Sequence, residues 1–230
     1  MGGVDVRPTR VLLTGFEPFA GDEANPSWPA AQRAAELLAS DPAGPARRLE
    51  AHTRLLPVEF GRSADLLRAA VREVRPAVVV CAGLAGGTEA VRVERVAVNL
   101  DDARIPDGAG RQPVDVPSVP GGPAAWFATL PVKAAVRAVV EAGVPAQLSA
   151  SAGGFVCNHV FAALMHHLSE QDDDERARGG FVHLPWASDL PHPPDAPTLP
   201  LEQLARALAA VVRAALEHRA DLRVPGGALH

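Results

Sequence analysis

The chain has 230 residues, 47% hydrophobic and 21% charged, which is typical of a globular protein with a substantial core. Its net charge of −5 gives no support to a nucleic acid or an anionic membrane as partner. The absence of tyrosine excludes a phenol from its chemistry. We expect one domain over residues 1–230. With no apolar signal segment at the start, and no run near the roughly 20 apolar residues that span a bilayer, a cytoplasmic location is predicted.

Apolar runs alternate with amphipathic segments along the first hundred residues. The apolar runs predict strands at 10–14 and 77–81, and residues 50–58 predict a strand of mixed polarity. The run at 77–81 is continuously apolar, which is typical of a strand covered on both faces. Helical spacing predicts helices at 27–40 and 67–74, and Pro76 ends the second.

The hydrophobic alternation of residues 91–98 changes phase at Glu94 and Arg95. This change predicts either a β-bulge or two short strands joined at a polar corner, and the sequence leaves both open. A bulge there would be of interest because bulges occur often beside active sites, where they redirect side chains.

The second half of the chain begins with a Pro-, Gly- and Asp-rich segment, 101–122, which we predict to be a functional or mobile loop. Helices are predicted at 131–141, 155–170 and 201–216, strands at 147–150 and 181–186, and a proline-rich loop at 191–200. Alternating strands and helices predict a single three-layer α/β/α domain with a mixed, mostly parallel sheet, similar to phosphorylase- and hydrolase-like folds.

Cys157 is the first candidate for chemistry. A run of small residues, 149–154, leads into the predicted helix 155–170 and places this thiol in the first helical turn. Unpaired N–H groups and the helix dipole favour a thiolate there, so we predict a reactive cysteine rather than an inert one. Cys81 lies in the most apolar strand and is predicted to be core.

His183 and Glu94 are the candidates for a base and an orienting acid. His183 lies in an apolar, strand-like frame, and a catalytic and a structural role are equally supported. For Glu94, a simple surface pair with Arg95 is the favoured interpretation. Together with Cys157, these two residues would form an activated-nucleophile arrangement.

Metal and nucleotide chemistry lack a pattern. His159, His166 and His167 have no accompanying ligand motif, so we predict no metal. No phosphate-binding motif occurs, and the glycine-rich segment 83–87 predicts only a tight turn. A nucleoside-processing enzyme is therefore disfavoured.

Four segments together resemble the pyroglutamyl peptidase I family, also called the pyrrolidone-carboxylate peptidases. They occur in the family's order and span nearly the whole chain. The segments are Thr14–Phe19 with Asn25-Pro26, Glu94–Asp107, Ser151–Asn158 and Gly180–Pro185.

The resemblance implies a cytosolic cysteine exopeptidase that removes N-terminal pyroglutamate from peptides through a thioester, without a cofactor. It implies that Cys157 is the nucleophile, that His183 is the general base and then acid, and that Glu94 orients the imidazole. By the same analogy, the backbone N–H groups of Cys157 and Arg104 form the oxyanion hole.

The resemblance also implies a substrate pocket and an assembly. The pocket residues would be Phe16, Phe19, Leu84, Ile105, Phe155 and Val156. The partners would be pyroglutamylated peptides and copies of the chain itself, as a dimer or tetramer. Thr88 departs from the pattern because the family commonly has arginine there, which leaves a non-catalytic or weakly active binding protein of the same fold as the alternative.

Overall fold

The computed structural model describes residues 8–40, 49–172 and 176–226. Within these ranges the strands are β1 (Thr9–Phe16), β2 (Leu49–Leu56), β3 (Val78–Leu84), β4 (Val91–Glu94), β5 (Val96–Val98), β6 (Ala125–Phe127), β7 (Ala146–Ser149), β8 (Arg178–Leu184), β9 (Trp186–Ala187) and β10 (Thr198–Leu199). The helices are α1 (Ser27–Ala39), α2 (Arg62–Val74), α3 (Val132–Glu141), α4 (Val156–Ser169) and α5 (Leu201–Glu217).

The central sheet has six strands in the order β2-β1-β3-β8-β4-β7. Neighbouring strands are parallel except for β8 and β4, which are antiparallel. One face packs against α1, α3 and α5, and the other packs against α2 and α4. The predicted mixed α/β/α architecture is confirmed. Among the described helices, none is long and apolar enough to cross a membrane.

Strand β3 lies at the centre of this sheet and is buried on both faces. Val78, Val80 and Ala82 belong to the core on the α1 side, whereas Val79 and Cys81 belong to the core on the α4 side. A strand with two buried faces has no position for a polar side chain, which explains its continuous apolar run.

The chain turns a corner at Glu94 and Arg95. β4 belongs to the central sheet, whereas β5 pairs with β6 in a separate two-stranded sheet. Two short strands are therefore correct and a bulge is not. The buried residue of β5 is Ala97, whereas Val96 and Val98, which produced the change of phase in the sequence, are only half-buried.

The strand predicted at 181–186 ends earlier than expected. β8 stops at Leu184 because Pro185 has no N–H to continue the ladder. Trp186 and Ala187 instead pair with β10, which lies inside the segment predicted as a proline-rich loop.

The loop 101–122 is packed against the turn that precedes α2. The buried carboxylate of Asp107 accepts the N–H of Phe60 at 2.7 Å. The Arg111 guanidinium donates to the carbonyl of the same residue at 2.9 Å, and the N–H of Gly108 donates to the Val58 carbonyl at 2.8 Å. The loop is therefore held to the backbone N–H and carbonyl of Phe60 and to the carbonyl of Val58.

Candidate active site

Cys157 is the second residue of α4, and its side chain is partly exposed. The preceding turn needs glycine twice. Gly153 has a φ of +85°, and a Cβ on Gly154 would lie 3.1 Å from the carbonyl oxygen of Asp102. Across the site, a Cβ on Gly83 would lie 2.9 Å from the Cys157 sulfur. The glycine in β3 therefore leaves the space that the thiol occupies.

Glu94 and His183 come from the antiparallel strands β4 and β8. Arg92 lies opposite His183 and Glu94 opposite Phe181, so the carboxylate and the imidazole project from the same face of the sheet. His183 Nδ1 lies 2.8 Å from Glu94 Oε1, and the two residues are 7% and 1% exposed. The surface-pair interpretation of Glu94 is wrong, because the side chain is buried against His183.

The Cys157 sulfur lies against Gly83, which is the register partner of His183 on the neighbouring strand β3. Burial lowers the pKa of His183, but the hydrogen bonds and charges of Cys157 and Glu94 outweigh it and raise the pKa to about 9. At neutral pH the structure thus favours an imidazolium between a carboxylate and a sulfur. This arrangement can exchange a proton with the sulfur and with a group bound beside it.

Cys81 lies in the same sheet but has a different environment. It is fully buried, and this burial raises its pKa to about 12, although the nearby Thr14 side chain acts in the opposite direction. A neutral thiol in an apolar core does not act as a nucleophile. Cys81 is a core residue, as predicted.

A cavity of about 110 Å³ opens beside the Cys157 side chain. Two aromatic contacts shape this cavity. The Phe155 ring packs against the Phe19 ring with centroids 5.6 Å apart, and edge-on against the Phe60 ring with centroids 5.4 Å apart. The cavity is lined by Phe16, Phe19, Asp22, Ala24, Asn25, Val58, Leu84, Phe155, Val156 and Cys157. Of the six residues predicted to contact substrate, only Ile105 does not line it, and its side chain is 46% exposed.

The two predicted oxyanion donors differ from their neighbours in having no acceptor in the described ranges. The N–H groups of Asp102 and Ala103 both donate to backbone carbonyls. In contrast, none of the hydrogen bonds in the described ranges uses the N–H of Arg104 or Cys157. The latter is one of the unpaired donors in the first turn of α4.

Thr88, which departs from the family pattern, is buried in the turn after β3. Its hydroxyl donates to the Ala90 carbonyl at 2.8 Å, and its N–H donates to Ala85 at 3.0 Å. The turn is therefore closed by its own hydrogen bonds without an arginine at this position.

The sequence did not reveal a second buried histidine–carboxylate pair. His159 Nδ1 lies 2.8 Å from Asp101 Oδ2, and the two residues are 7% and 5% exposed. His159 had been considered only as a metal ligand. No local pattern connects residues 58 positions apart, so the pair could be found only from the folded chain.

Comparison with known proteins gives a consistent result. A family model described as pyroglutamyl peptidase matches residues 9–218 of the chain. The pyrrolidone-carboxylate peptidase of Clavibacter michiganensis is 52% identical over 219 residues, which cover 95% of this chain and 98% of that protein. The Streptomyces coelicolor protein of the same name is 51% identical over 224 residues, covering 96% of this chain and 100% of its own.

Solved structures show the same similarity. The crystal structure of pyroglutamyl peptidase I from Bacillus amyloliquefaciens superposes with a TM-score of 0.84 at 39% identity, covering 93% of this chain and 100% of that chain. The pyrrolidone carboxyl peptidase from Thermococcus litoralis gives a TM-score of 0.82 at 33% identity, covering 94% and 99%. The likeness therefore spans the sequence and the fold of complete relatives.

Proposed function

The chain belongs to the pyroglutamyl peptidase family, and on that premise we propose how its residues remove an N-terminal pyroglutamyl residue from peptides. It is a cysteine peptidase, in which Cys157 is the nucleophile, His183 the general base and acid, and Glu94 the residue that orients the imidazole. The observation that carries this assignment is the 2.8 Å bond between the His183 imidazole and the Glu94 carboxylate, with the Cys157 sulfur against Gly83, the register partner of His183 on β3.

The reaction begins with the Cys157 thiolate. The thiolate attacks the carbonyl carbon of the amide that joins the pyroglutamyl residue to the peptide, and the electron pair of that carbonyl moves to its oxygen. The Nδ1 atom of His183 is bonded to Glu94, which leaves Nε2 to protonate the departing amine as the carbon–nitrogen bond breaks. Water, deprotonated by the same imidazole, then hydrolyses the thioester and releases pyroglutamate. None of these steps requires a cofactor.

The oxyanion is stabilised by the N–H groups of Arg104 and Cys157. Both are free of other acceptors among the described residues. A donor aimed at the developing charge typically contributes about 3–4 kcal/mol to the transition state. The close approach between Gly154 and Asp102 supports this role, since it brings the start of loop 101–122 next to the turn before α4.

The cavity beside Cys157 is the lactam site. A pyroglutamyl ring is flat, uncharged and partly apolar, so the rings of Phe16, Phe19 and Phe155 suit its methylene groups. Its N–H and carbonyl need polar partners, for which we propose the backbone of Leu84. Val156 borders the same space, and a contact from Ile105 to the bound substrate stays a prediction.

The experiment compares three fluorogenic amides: pyroglutamyl, alanyl and prolyl. We expect release from the first only. Cys157→Ser should lower kcat/KM by roughly 10³-fold or more, because the hydroxyl is a weaker nucleophile in a site built around a thiolate. Cys81→Ala is the matched control and should retain activity.

The opposite results are equally clear. Equal release from all three amides would reject the substrate assignment, and an active Cys157→Ser variant would reject the nucleophile. Tight binding of the pyroglutamyl amide without release would instead support the non-catalytic binding protein, for which no observation speaks at present.

We also propose a reducing, cytoplasmic setting, since both cysteines are free and the mechanism needs one of them as a thiolate. Assembly as a homodimer or tetramer stays a prediction. Sedimentation velocity of the purified chain tests it, and a single monomeric species would contradict it.

A further inference from the structure

His159 follows Cys157 by two residues in α4 but takes no part in the chemistry described above. Its Nε2 atom accepts the backbone N–H of Gly61 at 3.0 Å. An acceptor nitrogen carries no proton, so the ring proton is on Nδ1 and is donated to Asp101. Both nitrogens are therefore occupied. His159 is not a second base but a link between two segments that lie on opposite sides of it.

On one side the link reaches the segment that carries the Arg104 N–H. The Asp101 carboxylate accepts both the His159 Nδ1–H and the hydroxyl of Ser118. The next residue, Asp102, donates its N–H to the Gly154 carbonyl at 2.8 Å. Asp101 is thus a side-chain anchor three residues before the proposed oxyanion donor, and the Gln112 side chain holds the Ala103 carbonyl between them at 3.1 Å.

On the other side the link reaches the aromatic wall of the cavity. Gly61 has a φ of +76° and follows Phe60, whose N–H is held by Asp107. The Phe60 ring contacts the His159 ring edge-on at 5.5 Å and the Phe155 ring at 5.4 Å. A shift of the Gly61 turn would therefore displace the ring that supports Phe155, a lining residue of the lactam site.

We propose that His159 and Asp101 are positioning residues with two separable effects. The bond from His159 to Asp101 sets the Arg104 N–H relative to the sulfur, and the bond from Gly61 to His159 sets the aromatic wall relative to the lactam. Both bonds involve one ring on α4, the helix that also carries Cys157. The His159 ring therefore sets the positions of the oxyanion donor and of the pocket relative to the nucleophile. The proposal rests on the proposed function, since it concerns the same site.

Two conservative variants separate the effects, because each keeps one of the two bonds. Asparagine carries an amide N–H at the position of Nδ1, so His159→Asn keeps the bond to Asp101 and loses the bond from Gly61. Glutamine carries an oxygen at the position of Nε2, so His159→Gln keeps the bond from Gly61 and loses the bond to Asp101.

The readout is the division between kcat and KM on the pyroglutamyl amide. His159→Asn should raise KM about tenfold with kcat little changed, because ground-state binding is weakened. His159→Gln should lower kcat by roughly 10- to 100-fold with KM little changed, because a displaced oxyanion donor acts in the transition state. His166→Asn and His166→Gln, on the same helix, are the matched controls and should behave as wild type.

The proposal is overturned if the two His159 variants change the same parameter or neither. Should either variant not fold, Ser118→Ala decides: it removes one bond to the Asp101 carboxylate and should lower kcat a few-fold at constant KM. An unchanged kcat or a raised KM would then overturn the proposal. A wild-type chain inactive on the pyroglutamyl amide would instead refute the proposed function, so the two failures are distinguishable.

Discussion

The described part of the chain contains two buried histidine–carboxylate pairs of nearly the same geometry but different surroundings. In each, Nδ1 lies 2.8 Å from a carboxylate oxygen, and the residues are at most 7% exposed. In the pair of His183 and Glu94 the imidazole also reaches a sulfur. In the pair of His159 and Asp101 it accepts a backbone N–H instead.

The comparison shows that the partner of the second ring nitrogen determines what such a pair can do. A backbone N–H cannot give up its proton, so this bond fixes the orientation of the His159 ring. The Cys157 side chain can exchange a proton, and its hydrogen bond and charge help to raise the pKa of His183. A buried histidine–carboxylate pair is therefore no evidence of catalysis until the atom facing Nε2 is known.

Replacing each carboxylate by its amide should separate the two pairs most strongly. Glu94→Gln is expected to lower kcat/KM by roughly 10³-fold, because an amide stabilises the imidazolium less and no longer selects its tautomer. Asp101→Asn should cost less than about tenfold, since its amide oxygen still accepts the Nδ1–H of His159. Steady-state kinetics on the pyroglutamyl amide measure both effects.

The pH profile gives an internal check of the same pair of variants. The Glu94 charge contributes to the raised pKa of His183, so the alkaline limb of kcat/KM should move to lower pH in Glu94→Gln. It should not move in Asp101→Asn. Equal losses of activity in the two variants, or an alkaline limb that stays in place in both, would contradict the distinction between the pairs.

The stability of the fold should also depend on pH through His183. Its pKa is about 9 in the folded chain against an ordinary value of 6.5, so its contribution is complete below about pH 6.5 and is lost as pH rises through about 9. The contribution is at most about 3 kcal/mol. In urea unfolding between about pH 6.5 and 9.5, the wild type should lose more stability than His183→Gln.

The control for this measurement is His166→Gln, in which a partly exposed histidine on α4 is replaced. Its free energy of unfolding should follow the pH dependence of the wild type. Parallel curves for His183→Gln and wild type would show that the imidazolium is not stabilised in the folded chain.

Sequence periodicity was sufficient for the layers and for the central strands, because these elements bury a regular face. It failed where pairing is decided by a distant partner. The short strand β6 and the pairing of β9 with β10 have too few residues for a period, and Pro185 breaks a strand that the apolar run continues.

Prediction of the site shows the same limit. The position of Cys157 follows from its own segment, because a helix start is a local feature. Glu94 looked like a surface residue, since nothing in its own segment shows that β8 covers it. The bond between Asp101 and His159 has no local signal at all.

Alkylation of Cys157 and Cys81 gives the smallest expected effect. It compares the two histidine–carboxylate pairs in the absence of substrate. At about pH 7, iodoacetamide should modify Cys157 but not Cys81, which is fully buried with its pKa raised to about 12. His183→Gln should slow modification of Cys157 about tenfold, because the imidazolium that favours the thiolate is gone. His159→Asn should keep the wild-type rate, since its bonds hold the pocket and not the sulfur. Peptide mass mapping over time measures both rates, and equal slowing in the two variants would mean that His159 also acts on the thiol.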